Sequence, residues 1–221
     1  MSLQEIRAQI DSSEPGYRDF NFYCRVFGLG SNGETVQNQS VLDIGSSNSN
    51  FVKELQKPGI TKQVVSLDPA YKEPNQTVKT GKIVGVGQLL PFASQVFDTS
   101  LAAQVMIFMS PTHIYMTLSE MRRVTVPNGR IKIYPVQPFK RDQALDLPDY
   151  VTVDYYSQKP SDVWYTLDIT NRPDINQAQW QEDINHLTTV LDFAPSIYKY
   201  LPARKVQRNT PKYLKIAPLI F

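Results

Sequence analysis

Two acidic residues stand where short apolar runs end. The run Ser40-Val41-Leu42-Asp43-Ile44 stops at Gly45, and Val64-Val65-Ser66-Leu67 stops at Asp68 and Pro69, with Asp68 following Gly45 by 23 residues. A carboxylate so placed can accept hydrogen bonds from the two adjacent hydroxyls of a ribose, while a glycine after the first strand lets backbone N–H groups approach a ligand closely. Either acid taken alone could equally cap a helix or a turn. The polar stretch Ser46-Ser47-Asn48-Ser49 adds hydroxyls beside the glycine. A base working near neutral pH would have to be one of two histidines, His113 or His186. His113, just after Ser110-Pro111-Thr112, is the catalytic candidate, because it opens a helix on the side where ligands bind; His186 falls inside a helical pattern. The single Cys24 can form neither an internal disulfide nor a cysteine-based zinc site, so no metal is expected and Cys24 reads as a small buried hydrophobe.

The elements that must position these groups follow from hydrophobic periodicity. Strands are expected over Ser40–Ile44, Val64–Asp68, Lys82–Val86, Phe97–Ala103 and Arg130–Tyr134. Helices are expected from Phe51 to the stop at Pro58-Gly59, and over Ile114, Leu118, Met121 and Val124, with Pro127-Asn128-Gly129 turning the chain into the next strand. Apolar strands alternating with helices argue for a Rossmann-like α/β fold, a mostly parallel sheet flanked by helices on both faces. Beyond Pro135 the pattern loosens, with strands indicated at Tyr150–Tyr156 and Val163–Ile169, a last helix at Gln177–Leu191, and an antiparallel hairpin at the C-terminus from Ser196–Leu201 and Tyr213–Leu219. With 221 residues, 41% of them hydrophobic, one core is the expectation. The single domain divides into an N-terminal cap at 1–39, a cofactor-binding core at 40–136, an insertion at 137–176, and the last helix with closing strands at 177–221. Leu3, Ile6 and Ile10 have the spacing of a short helix in the cap, and aromatic residues follow it.

Spaced over residues 40–136, the segments VLDIGSSNS, VVSLDPAY, GVGQLLPF, VFDTSLAAQVM and MRRVTVPNGRIKIYPV resemble successive motifs of class I S-adenosylmethionine-dependent methyltransferases. The resemblance implies that Asp43, Gly45, Ser46, Ser47 and Ser49 surround the methionine part of the cofactor, with Ser47 and Ser49 standing where the family has its second and third glycines. It also implies that Asp68 and Pro69 meet the ribose, that Gly87, Gln88 and Leu89 line the adenine site, and that Gln104, at the end of the fourth strand, lies near the sulfonium. Val86 occupies the place where the family often has an aspartate that accepts from the adenine amino group. A side chain larger than hydrogen at Gly45 is expected to block the ligand while the buried strand still supports the fold.

The implied function is S-adenosylmethionine-dependent methyl transfer to a small-molecule acceptor, leaving S-adenosylhomocysteine as product. The alternative is a catalytically inactive methyltransferase-like binding or regulatory protein. A dinucleotide enzyme is disfavoured because Gly45-Ser46-Ser47-Asn48-Ser49-Asn50 lacks the G-x-G-x-x-G arrangement. No Asn/Asp-Pro-Pro-aromatic sequence follows the fourth strand, and no cysteine stands there as a nucleophile, so direct transfer by proximity is the expected mechanism. Tyr17, Tyr23 and Tyr115 are further candidates to line an acceptor pocket. The formal charge of +2 is scattered apart from Arg204, Lys205, Arg208, Lys212 and Lys215, which gives nucleic-acid binding little support. The absence of an apolar run of membrane-spanning length, the charged residues Glu5 and Arg7 near the start, and the single cysteine lead to the expectation of a cytoplasmic protein without a membrane partner.

Overall fold

The computed structural model describes residues 19–46, 51–57, 60–69, 71, 81–138, 145–156 and 164–193. The expected N-terminal helix, the C-terminal hairpin, the basic cluster at 204–215, Tyr17, Ser47 and Ser49 lie outside these residues.

Five strands run parallel. They are β1 (Ser40–Ile44), β2 (Gln63–Leu67), β3 (Lys82–Ile83), β4 (Phe97–Ala103) and β5 (Thr125–Pro138). Two antiparallel strands, β6 (Val151–Tyr156) and β7 (Trp164–Thr170), extend the sheet beyond β5, giving the order β3-β2-β1-β4-β5-β7-β6. A short β8 (Leu191–Asp192) pairs with the far end of β5. The α/β, Rossmann-like, mostly parallel sheet is therefore present. Its antiparallel part is built by β6 and β7, which fall within the 137–176 stretch.

The alternation of side chains along each strand divides the core between the two faces. On one face Val41, Val64 and Leu101 pack with α1 (Phe20–Val26) and α2 (Phe51–Leu55). On the other, Leu42, Ile44, Ala102, Ile131 and Ile133 pack with α3 (Pro111–Val124) and α4 (Gln177–Val190). Ile114, Thr117, Leu118 and Met121 recur at the spacing that keeps one helical face inward, and all are buried. Ser110 caps α3 by accepting the His113 N–H at 3.3 Å, with Pro111 at the first helical position. Asp19 and Asn176 cap α1 and α4 in the same way. Cys24 is buried, and burial pushes its thiol up to about 11, so it behaves as the expected small hydrophobe.

Two local expectations change. Strand β3 ends at Ile83 instead of Val86, because it borders only β2 and Gly85 and Gly87 follow; Val86 and Leu89 then form an isolated bridge across a tight turn. The Pro127–Gly129 turn survives inside β5 as a register shift between Phe97 and Thr99 of β4. Asn128 sits there at φ 62°, and its N–H donates to the Asn171 carbonyl at 2.7 Å. The Asn171 amide in turn donates to the carbonyls of Arg122, Thr125 and Val126, which satisfies backbone groups the irregularity would otherwise strand.

Candidate functional site

The chain leaves β1 toward β2 and β3 on one side, while β4 and β5 lie on the other, so strand order reverses at the β1/β4 boundary. In open parallel sheets, ligands bind beyond the carboxyl ends of the strands at such a reversal. Asp43, Gly45, Asp68 and Gln104 all fall there. Ile44 is paired with Leu67 on one side and Ala102 on the other, which sets Gly45 beside Asp68 and level with Ala103, the residue before Gln104.

Gly45 turns the chain at φ +70°, and its N–H donates to the Leu67 carbonyl at 2.7 Å. A Cβ on this residue would lie 2.2 Å from Val105 Cγ2. Both the left-handed backbone and the close approach therefore require glycine. This corrects the expectation that a larger side chain would be carried at little cost to the fold, since the obstacle is the protein's own Val105 and not just a ligand. Gln104, in the next strand connection, also adopts positive φ (57°), and its N–H donates to the Tyr134 carbonyl at 2.5 Å. A non-glycine residue held in that region is a strained feature of the kind that gathers at functional sites.

The two acids occupy different surroundings. Asp43 has no exposed surface, and the Tyr23 hydroxyl of α1 donates to both of its oxygens at 3.1 Å. Tyr23 is itself fully buried, stacked on Phe51 at 3.9 Å between centroids, so it supports Asp43 from beneath and does not line an acceptor pocket. Asp68 is 7% exposed; its N–H donates to the Ile83 carbonyl, fixing it between the ends of β2 and β3. Pro69 beside it is exposed.

A hydroxyl network that the sequence did not reveal joins the first two strand ends. The Tyr71 hydroxyl bonds Ser66 Oγ at 2.9 Å and also Ser46 Oγ, while Ser66 Oγ bonds the Gly81 carbonyl at 3.2 Å. A serine carries one hydroxyl proton. With that of Ser66 given to Gly81, Tyr71 donates to Ser66 and accepts from Ser46. Burial pushes the Tyr71 phenol above its usual value, and the Asp43 and Asp68 charges add to the rise against the lowering effect of the two serines, so it stays protonated as the network requires. Ser46 is 1% exposed, and its hydroxyl is committed to Tyr71. The Lys82 ammonium lies 5.3 Å over the Tyr71 ring.

On the other side of Gly45, the turn carrying Gly87, Gln88 and Leu89 leans on α3. A Cβ on Gly87 would lie 2.8 Å from Thr117 Cγ2 and 3.3 Å from Ile44 Cγ2. Gln88 Nε2 donates to Met109 Sδ at 3.7 Å, and Thr117 Oγ1 donates to the same sulfur at 3.5 Å. Leu89 and Val86 are 55% and 40% exposed, so an apolar surface faces outward where the resemblance implies adenine. His113 is exposed on the first turn of α3, and Tyr115 is partly buried against the core. His186 lies on α4 with Nε2 against the Asp146 carbonyl at 2.7 Å, on an element that brings no other candidate residue with it. Among the described residues, no cluster of His, Cys, Asp or Glu could hold a metal ion, and no helix is long and apolar enough to cross a membrane.

The comparisons with known proteins bear on this arrangement. A family model described as a methyltransferase domain matches residues 42–133, which is under half of the chain. No curated protein matches the sequence. Similar solved structures include a protein from Pyrococcus horikoshii, with 16% identity, 73% of this chain and 98% of that one covered, and a TM-score of 0.46. Another, from Thermotoga maritima, is described as a SAM-dependent methyltransferase and possible histamine N-methyltransferase; identity is 12%, coverage 77% and 100%, and the TM-score 0.47. A third is the YcgJ protein of Bacillus subtilis, with 17% identity, a TM-score of 0.37, and 49% of this chain spanning about half, 50%, of that one. The matched stretch runs from β1 to β5 and contains both acids, Gly45 and Gln104, and over it the chain is similar to a methyltransferase domain.

Proposed function

We propose that the chain transfers a methyl group from S-adenosylmethionine to a small-molecule acceptor. The observation that carries this reading is the juxtaposition of a mostly buried carboxylate, Asp68, with a left-handed glycine, Gly45, across paired strands at the point where strand order reverses. The surroundings fit the cofactor's chemistry. Asp68 would take the ribose hydroxyls, the backbone at Gly45 and Ser46 the amino-acid part, Gln104 the region of the sulfonium, and Val86, Gly87, Gln88 and Leu89 the flat face of adenine. Bound there, S-adenosylmethionine would supply an electrophilic methyl group for an acceptor that gives up a proton, with S-adenosylhomocysteine as the product.

This chain's own contribution is positional. Tyr23 holds Asp43 under β1, and Tyr71 ties Ser46 to β2, so the Gly45 turn is fixed before a ligand arrives. His113, exposed at the start of α3, is the base proposed for an acceptor that must lose a proton. The single cysteine fits a reducing compartment, and the cytoplasm is the location proposed with it.

Calorimetric titration with S-adenosylhomocysteine tests the reading directly. Wild type is expected to bind, and Asp68→Ala to bind more weakly by about 1–3 kcal/mol, the scale of a lost hydrogen bond to a charged group. No binding by folded wild type refutes the proposal, and equal binding by a folded Asp68→Ala variant removes Asp68 from the ribose site.

A further inference from the structure

Adenine carries an exocyclic amino group, a hydrogen-bond donor that needs an acceptor once water is excluded from it. The turn proposed to meet adenine offers few. Val86 and Leu89 are apolar and Gly87 has no side chain, while the Val86 carbonyl already accepts the Leu89 N–H at 3.2 Å. Gln88 alone in this turn brings a side-chain acceptor. An amide can present either its oxygen or its NH2 group, according to which way it is turned.

The sulfur of Met109 decides which way. A thioether accepts a hydrogen bond but has no proton to give, so a side-chain amide that meets it must turn its nitrogen inward. Gln88 does so, with Nε2 donating to Met109 Sδ at 3.7 Å. The flipped amide would set the lone pairs of Oε1 against those of the sulfur. With Nε2 committed, Oε1 on the same carbon is the acceptor left for a ligand, and among the described residues none donates to it. Met109 is itself fixed from two directions. Thr117, fully buried on α3, donates from Oγ1 to the same sulfur at 3.5 Å, and the Met109 side chain packs, partly buried, against the core on the α3 face of the sheet. The Met109 N–H also donates to the Met106 carbonyl at 3.0 Å. Gly87, just before Gln88, lies against both Thr117 and Ile44, the last residue of β1, so the whole clamp stands beside the Gly45 turn.

We propose that Met109 is a positioning residue for adenine recognition: its sulfur holds the Gln88 amide so that Oε1 accepts from the adenine amino group. The inference rests on the proposed use of S-adenosylmethionine and adds to it the group that reads the base. The amino group has two hydrogens, so a carboxylate introduced at Val86 would add a second bond and leave this one in place.

Calorimetric titration of the full chain compares S-adenosylhomocysteine with its 6-deamino analogue, in which hydrogen replaces the amino group. Wild type is expected to prefer S-adenosylhomocysteine by roughly fivefold, the scale of one neutral hydrogen bond. Met109→Leu keeps the volume and apolar character but removes the acceptor, so the preference should fall to about twofold or less. Met109→Gln restores an acceptor on a side chain of similar length, and the preference should return. A role in packing alone predicts the opposite order, because leucine suits a packed position better than an amide does. Gln88→Leu changes a half-buried side chain on a turn and should lose the preference as Met109→Leu does, which keeps the test decisive if a Met109 variant fails to fold by circular dichroism. Equal wild-type affinity for the two ligands would overturn the inference and leave the methyl-transfer reading standing. A folded Met109→Leu or Gln88→Leu variant that keeps the preference would overturn it too, as would a Met109→Gln variant that behaves like Met109→Leu. If folded wild type binds neither ligand, the methyl-transfer reading falls and this inference falls with it.

Discussion

Replacing Gly45 by alanine asks one backbone position to accept two penalties. The residue sits at φ +70°, where an L side chain costs about 1–2 kcal/mol. Its Cβ would come within 2.2 Å of Val105 Cγ2 and 2.9 Å of Val105 Cβ, and this contact involves a short, β-branched side chain whose Cβ is fixed to the backbone. Forcing a methyl group into such a contact costs about 1–3 kcal/mol. The two together give a loss of about 2–5 kcal/mol, a large part of the roughly 5–15 kcal/mol that holds a domain folded. Urea denaturation of wild type, Gly45→Ala, Val105→Ala and the double variant separates the penalties. Val105→Ala removes the γ carbons, and with them the 2.2 Å contact, while leaving the 2.9 Å contact to Cβ and the backbone part, so the cycle should show a coupling of about 1–2 kcal/mol. A loss below about 1 kcal/mol for Gly45→Ala, or additivity across the cycle, refutes the reasoning, because the turn would then have relaxed away from Val105. The same result fixes how binding data on Gly45 variants are read: weaker S-adenosylhomocysteine binding counts against the ligand contact only at temperatures where the variant is shown to be folded.

Three other outcomes follow from named contacts. Val86→Asp restores a carboxylate at the position where the family often has an adenine acceptor; because Val86 is 40% exposed, the fold should tolerate it, and titration should show S-adenosylhomocysteine binding tightened by about 1–3 kcal/mol. Tyr71→Phe deletes the hydroxyl shared by Ser46 and Ser66, taking from the buried Ser46 its acceptor while Ser66 keeps the Gly81 carbonyl, so thermal denaturation should show a loss of about 1–3 kcal/mol and the ligand affinity should fall with it. Burial alone would raise the Glu120 carboxyl, but bonds from Arg123 and the Leu90 N–H, with the Arg123 charge, hold it below the usual range. Its stabilisation is therefore fully present above the ~4.3 of an unfolded glutamate and is lost as pH falls through the lower folded value, so the stability gap between wild type and Glu120→Gln should be open at neutral pH and close in acid.

Much of the scaffold was legible because it is local. Alternating apolar runs gave β1, β2 and β4 within a residue or so, the i, i+3, i+4 spacing gave α3, and Ser110-Pro111 marked where that helix begins. The acids and Gly45 were readable because each directly follows an apolar run, and a parallel strand ends at the ligand side of the sheet. What depended on distant pairing was not readable. Residues 151–170 have the pattern of two strands, yet nothing local says that β7 lies between β5 and β6 in the same sheet; that follows from backbone hydrogen bonds spanning some 40 positions, such as the pairing of Arg130 with Thr170. Tyr71 looked like any other tyrosine until folding brought its hydroxyl between Ser46 and Ser66, and Tyr23 looked like a pocket residue until it was found stacked beneath Asp43. The sequence by itself determined which residues can bend, accept or donate, since that chemistry belongs to each side chain. Only the tertiary structure decided what each one meets, such as Val105 against Gly45 and Tyr71 on Ser46, because those contacts depend on where packing brings the strands' ends.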